Sequence, residues 1–371
     1  MNFGTLFLIV IAGCLGPLLS GFRRLSVPLV LGEICAGILL GVSGFRLIDP
    51  SEPTLQFFAS VGFAMLMFLI GTKLPLREPN LRSVLKHSVI STVVAFGVAF
   101  PLALLLAHVT AVHNTAIFLL LLSCSSTAVV MPMMHERGLS GRTVLLTTTL
   151  VAVADITTVV ALPLAMYPGK LIAIGIGAVV VTFVAILCLQ ALKLFRNSDR
   201  GDHLRKLSKE RGWALDLRMS IGILFGLTWL ATQFGTSVLV AGFAAGAVVA
   251  TISQPRRFTK QLVGLAEGFF VPLFFVELGA KLDFRAMLHS PHFLILTACI
   301  VVGSIVVHLI VAKAVNLPYS SGLIAASQQG LPIALVSIGL GNGMLQAGQG
   351  AAIIAAAMVL LVVTSIGVHL L

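Results

Sequence analysis

One acid stands where a charge is costly and therefore informative. Asp155 lies in the middle of the apolar run LVAVADITTVVALPL, about twelve residues from either flank, with no basic residue within a helical turn. A carboxylate at the bilayer centre costs several kcal/mol unless it faces water, a partner or an ion. Burial penalises the charged form, so near neutral pH such a group holds a proton or a small cation but not both. That competition is the minimum requirement for proton exchange; the structural alternative is a permanently protonated Asp bonded across helices. Two polar interruptions accompany it. Ser123-Cys124-Ser125-Ser126-Thr127, with Pro132 following, breaks one apolar run near its middle, and Ser327-Gln328-Gln329-Gly330-Leu331-Pro332 does the same seven segments later. Backbone freed from helical bonding cannot face lipid, so a matched pair of breaks should line a cavity or cross, and half-helix ends can bind ions. Small polar residues that merely allow close helix packing are the plainer alternative.

The remaining candidates are less specific. His308, mid-span in CIVVGSIVVHLIVAK, can relay protons or simply donate a hydrogen bond to a backbone carbonyl. Glu277 precedes Lys281 by four residues, the favourable spacing for a helical ion pair. Glu267 could line a funnel, and Glu33 sits near a helix entry. The five cysteines lie inside apolar runs without metal spacing or a CxxC pair, as core filler would. There is no HExxH, no GxSxG and no pair of acids of the intramembrane protease kind, so no catalytic residue and no cofactor is expected.

The elements that position these residues follow from composition. The 371 residues are 58% hydrophobic and only 10% charged, and mean hydropathy is +1.07. A water-soluble enzyme carries roughly a quarter charged residues. Apolar runs near 20 residues, about what a ~30 Å hydrocarbon core needs, predict an all-α polytopic membrane protein. About thirteen spans are expected, near 3–20, 28–45, 54–72, 87–109, 114–134, 143–167, 171–192, 219–234, 236–253, 261–280, 292–312, 319–340 and 349–370. The first lacks a basic n-region and a good cleavage site and is read as a retained helix. The +11 charge sits in short connectors, so topology control replaces nucleic acid as its explanation. With the N-terminus outside and the C-terminus cytoplasmic, only Arg46, Lys170, Lys281 and Arg285 of the 24 bases fall outside. The inner connectors then hold Arg23 and Arg24; Lys73, Arg77, Arg82 and Lys86; Arg137 and Arg142; residues 193–218; Arg256, Arg257 and Lys260; and Lys313.

The basic connector 193–218, read as a solvated linker that can touch anionic lipid heads, divides six helices from six. An odd helix between the halves inverts them, as in many secondary transporters. The expected organisation is residues 1–192 as first repeat plus linking helix, and 219–371 as second inverted repeat.

Six strings, in order, carry a resemblance: VPLVLGEICAGILLG (27–41), VGFAMLMFLIGTKLPL (61–76), SCSSTAVVMPMMHERG (123–138), the mid-helix Asp155, FFVPLFFVELGAKLDF (269–284) and SQQGLPIALVSIGLG (327–341). Together they resemble the cation:proton antiporter superfamily, nearest the branch of bacterial sodium/proton exchangers and glutathione-gated potassium efflux transporters. The resemblance implies a six-helix core with two crossing broken helices, a second domain that forms a homodimer, the bacterial inner membrane, and elevator-like alternating access. It makes Asp155 the ion-binding residue for a monovalent cation and H⁺. Ser126 and Thr127 of the first break and Gln328 and Gln329 of the second would surround it, with Ser125, Thr158, Ser304, His308 and Glu277 as accessory candidates. Three departures stand out. Ala154 precedes the aspartate where many members have a polar or acidic residue, and Ser304 stands where many have Lys or Arg, one turn before His308. The chain also ends at Leu371 where the potassium efflux relatives continue into a regulatory domain, so no nucleotide-binding module is expected.

Sodium is the first candidate cation and potassium the second. With one carboxylate and no paired lysine, one-for-one electroneutral exchange is expected. The alternative is a sodium-coupled organic solute transporter of similar inverted-repeat fold, but such a carrier usually anchors its substrate with a base, and none sits mid-span here.

Overall fold

A computed structural model describes residues 2–20, 29–72, 81–110, 112–167, 169, 171–234, 238–251 and 256–371. Arg23, Arg24, Lys73, Arg77 and Lys170, all used above to orient the chain, lie outside these residues, as do the span ends 28, 236–237 and 252–253. The side chains of Arg82, Pro132, Arg196, Arg256, Arg257 and Lys260 also lie outside the description.

Among the described residues every regular element is helical, and nine helices are long and apolar enough to cross a membrane. Shorter apolar helices join them, including Phe3–Leu18, Thr115–Met131 and Val238–Ala250. Among the described residues every expected span contains helix, but the second ends at Leu40, short of residue 45, and four others are interrupted. The first span breaks at Cys14 into Phe3–Gly13 and Leu15–Ser20. The fifth and twelfth divide at their polar interruptions, into Thr115–Ser123 with Thr127–Glu136, and Tyr319–Ala325 with Gly330–Gly341. The tenth passes through a π-turn at Ala266–Phe270, which carries Glu267 to the surface.

The 193–218 connector is more ordered than a solvated linker. It forms a helix, Asp199–Arg211, because its ends are well specified. Ser198 accepts the Gly201 N–H at the start, Asp199 and Asp202 occupy the first turn, and Gly212 closes the helix with φ 70°.

By contact the chain divides into two compact units interleaved in sequence. The first comprises Met1–Gly13, Ser51–Arg77 and Gly169–Glu277. Its closest packing joins Pro53–Thr72 to Val238–Ala250 through glycines. A Cβ on Gly246 would strike the Phe68 carbonyl, and one on Gly242 would lie 2.7 Å from the Ala64 carbonyl. Small residues let transmembrane backbones approach closely, where dispersion replaces the missing hydrophobic drive.

The second unit comprises Cys14–Pro50, Glu78–Pro168 and Leu278–Leu371. It contains Leu81–Val109, the first broken helix, Arg142–Met166, Pro291–Ala314, the second broken helix and Ala347–Leu370. Leu15–Ser20, Leu29–Leu40 and Phe284–His289 belong to the same unit. Its interior is unusually polar: Asp155, His308, Ser304, Ser327 and Gln328 are all buried. Large apolar side chains such as Val93, Val302 and Val362 face outward instead.

The glycine packing can be tested. Gly246→Val will overpack the joint and destabilise the protein by about 1–3 kcal/mol. Gly222→Ala, whose Cβ would meet nothing within 4 Å, will not. Thermal unfolding in detergent distinguishes the two, and equal melting of both variants would contradict this packing.

Candidate functional site

The site begins with the two breaks. Thr115–Ser123 starts cleanly because Asn114 accepts the N–H groups of Ala116 and Ile117, and it ends at Cys124, whose φ of −77° and ψ of 153° are extended. Residues 124–126 are non-helical, and Thr127 opens the second half. The later break runs over 326–329, with Gln329 at φ −147°, ψ −67° before Gly330. Each interruption frees amides and carbonyls inside a buried region, and each must find new partners.

They find them in one another. The Ser126 N–H donates to Ser327 Oγ at 3.1 Å, and Ser125 Oγ donates to the Ala325 carbonyl at 2.5 Å. Gln328 Nε2 reaches back to the Leu121 carbonyl at 2.5 Å and to Ser304 Oγ at 2.8 Å. The broken helices therefore cross at a knot in which side chains of each saturate the backbone of the other. Pro291–Ala314 braces the knot. His308 Nδ1 lies 2.8 Å from the Ser304 carbonyl, which can only accept, so Nδ1 carries the hydrogen. Nε2 of the same ring lies 3.4 Å from Ser125 Oγ.

Asp155 meets this crossing from Arg142–Met166. Its Oδ2 accepts the Thr127 N–H at 2.9 Å, at the first residue of the second half-helix, where aligned peptide dipoles favour negative charge. Asp155 is only 7% exposed, and no ion pair among the described residues involves it. A carboxylate can accept about four hydrogen bonds, so the Thr127 amide and hydroxyl leave capacity for a proton or a cation. Hard monovalent ions want such oxygens together with hydroxyls and carbonyls. Among the described residues no cluster of three His, Cys, Asp or Glu is present.

The candidates divide accordingly. Asp155, Ser125, Ser126, Thr127, Gln328, Ser304 and His308 belong to one connected arrangement. Gln329 is half-buried and caps its helix without a side-chain bond. Thr158 Oγ1 donates to the carbonyls of Ala154 and Asp155, so its hydroxyl is spent on its own helix. Glu277 falls in the other unit. Sequence reasoning nominated neither Ser327, the acceptor for Ser126, nor the Thr147 to Ser321 hydroxyl contact of 2.8 Å. Ser327 was legible: it opens the second polar string as Ser123 opens the first.

The tie made by Gln328 is expected to matter for stability. Gln328→Leu strands a buried carbonyl and a buried hydroxyl, at a cost of about 1–3 kcal/mol. Thermal unfolding reads this, and an unchanged melting temperature would contradict the bonding described.

Comparison with known proteins places this geometry. The family described as sodium/hydrogen exchanger, transmembrane, matches residues 7–371. YjbQ of Bacillus subtilis, named for Na(+)/H(+) antiport, is 25% identical over 98% of this chain and 62% of its own length. KefC of Salmonella typhi, a glutathione-regulated potassium-efflux system protein, is 28% identical over 80% of this chain and 48% of its own length. The chain thus spans about half to three fifths of these curated relatives. The sodium proton antiporter MjNhaP1 of Methanocaldococcus jannaschii, in a structure at pH 8, shares the fold, with a TM-score of 0.59 and 13% identity, covering 98% of this chain and 94% of that one. A polar crossing of two broken helices, an acid set against it, and a match across nearly the entire length make the chain a member of the sodium/hydrogen exchanger family within the cation:proton antiporter superfamily.

Proposed function

We propose that the chain exchanges a monovalent cation for protons across the membrane, and that Asp155 carries each in turn. The observation that carries this reading is the buried Asp155 carboxylate on the Thr127 N–H, at the point where two interrupted helices trade hydrogen bonds. Sodium is the first candidate, since YjbQ and MjNhaP1 are named for it, and potassium the second, after KefC.

The chemistry follows from charge. The ionised carboxylate is held by the Thr127 amide and hydroxyl and by a half-helix dipole, and takes a cation together with hydroxyl and carbonyl oxygens of the breaks, Ser126 and Thr127 foremost. A proton arriving on Asp155 removes the charge that holds the cation, which then leaves. Proton-loaded and cation-loaded sites are both neutral, so exchange is one for one and electroneutral. An empty, charged site crosses hydrocarbon reluctantly, and that cost couples the two fluxes. Gln328, Ser304 and His308 keep the crossing rigid while the second unit moves elevator-fashion. On the same reading the repeats are residues 1–192 and 219–371, the protein works as a homodimer in the bacterial inner membrane, and the N-terminus lies outside.

Two variants test the reading in proteoliposomes that report pH-gradient dissipation on adding sodium or potassium. Asp155→Asn will abolish exchange; undiminished exchange would defeat the assignment. Thr127→Pro removes the amide that Asp155 accepts while suiting the first position of a helix, and it will cost about tenfold or more in exchange, as loss of a charged hydrogen bond worth about 1.5–3 kcal/mol requires. Thr127→Ala keeps the amide and will lose much less. If the two Thr127 variants behaved alike, the N–H would not be the contact that counts.

A further inference from the structure

We propose that Arg137 and His369 form a proton-released latch, which ties the first broken helix to the last helix of the second unit while the imidazole is neutral and frees it on acidification. The proposal rests on the exchange reading above and adds a control on its rate. Arg137 follows the second half of the first broken helix, Thr127–Glu136, and His369 lies in the last turn of Ala347–Leu370. Both belong to the second unit and both are exposed. His369 Nδ1 lies 2.8 Å from the Ser365 carbonyl, and Nε2 lies 2.5 Å from Arg137 Nη2. A carbonyl can only accept and a guanidinium can only donate. The two partners therefore demand the same form of the ring, with a hydrogen on Nδ1 and a lone pair on Nε2. That form is neutral. A proton arriving on Nε2 would set N–H against N–H and one positive charge against another, while the bond to Ser365 survived.

Position gives the latch its consequence. Two residues before His369, a Cβ on Gly367 would lie 2.9 Å from Leu323 Cβ and 3.0 Å from the Ser320 carbonyl. The end of the last helix is thus packed on Tyr319–Ala325, the first half of the second broken helix, and bonded just beyond the second half of the first. At the far ends of those two half-helices, Thr127 gives its amide to Asp155 and Ala325 gives its carbonyl to Ser125. One helix end therefore holds a half of each broken helix, and it holds both only while His369 is neutral. The neighbouring elements also bring Arg142, Lys313 and Tyr319 toward this end. None of them bonds Arg137 or His369 among the described residues, and no acid there pairs with Arg137; the side chains of His135 and Glu136 lie outside the description. Imidazoles change charge between about pH 5 and 8, so the latch is closed at the alkaline end of that window and lost as pH falls. On the proposed topology it faces the cytoplasm.

The test uses the full chain in proteoliposomes with equal pH on both sides, near pH 8 and near pH 6, and reads the maximal exchange rate at saturating sodium or potassium. The parent chain should be about threefold slower at the acid pH, the scale of one exposed hydrogen bond. His369→Gln offers Arg137 a neutral acceptor at every pH and should keep the alkaline rate in acid. His369→Lys, positive throughout, should be slow at both. Hydrogen–deuterium exchange over 127–137, corrected for the intrinsic effect of pH, should show protection lost in acid by the parent and kept by His369→Gln. That readout needs no transport, so it stands even if the exchange reading fails. The rise of apparent KM on acidification belongs to Asp155 and should be the same in all three chains, so its absence would strike that assignment and leave the latch intact. Parent rate and protection unchanged between the two pH values, an equal acid loss in His369→Gln, or a parent-like alkaline rate in His369→Lys would each overturn the latch. Should the His369 variants not fold, Arg137→Gln removes the second charge and should abolish the acid step instead; an acid step left intact there would be equally fatal.

Discussion

A backbone amide or carbonyl released from a helix inside hydrocarbon must be bonded again at once, and that constraint governs the second unit. Both broken helices create such orphans at membrane depth, and each bonds groups of the other. Ser327 serves the amide of Ser126, Ser125 serves the carbonyl of Ala325, and Gln328 serves that of Leu121. The repairs are reciprocal, so neither break is stable without the other. Conformational freedom at the crossing is surrendered to reciprocal hydrogen bonds, and a fixed array of oxygens and amides results.

Asp155 depends on the same constraint. The amide it accepts belongs to the first residue after a break, and an unbroken helix would have no free N–H there. Its burial is tolerable because a half-helix N-terminus supplies electrostatic stabilisation without adding a second full charge. On the proposed reading this is also why the site works by substitution. A positively charged neighbour would hold the carboxylate ionised and compete with the cation, whereas a neutral dipole leaves the negative charge to be cancelled by whichever positive species arrives. His308, fixed by Ser304 and facing Ser125, then serves to position the first break.

Much of this was legible in the sequence, and the reason is physical. In a membrane, polarity is expensive, so the few polar residues inside apolar runs point directly to what the fold must accommodate. Asp155, the serine string at 123–127 and the Ser-Gln-Gln string at 327–329 were conspicuous for that reason, and the structure joins them. Spans were legible because hydrocarbon thickness sets helix length. What remained hidden were matters of direction and partner. Thr158 was an accessory candidate, and its hydroxyl bonds the preceding turn, as a threonine in a helix readily does. Gln328 was expected around the acid, and its amide reaches a carbonyl two hundred residues away in the chain, a pairing no periodicity encodes. The connector at 193–218 was judged by its charge, and its capped helix is a matter of Ser198 and Gly212, which charge counting overlooks.

On the proposed reading one carboxylate serves two cargoes that exclude each other. The most direct measurement of this is the apparent affinity for sodium, and separately for potassium, as a function of pH in proteoliposomes with the pH equal on both sides. Competition for Asp155 requires the apparent KM for the transported cation to rise as pH falls, approaching about tenfold per pH unit once the proton dominates the site. The maximal rate at saturating cation would change far less. An apparent KM that stays constant while activity falls with pH would contradict the account, because it would mean that proton and cation occupy separate sites.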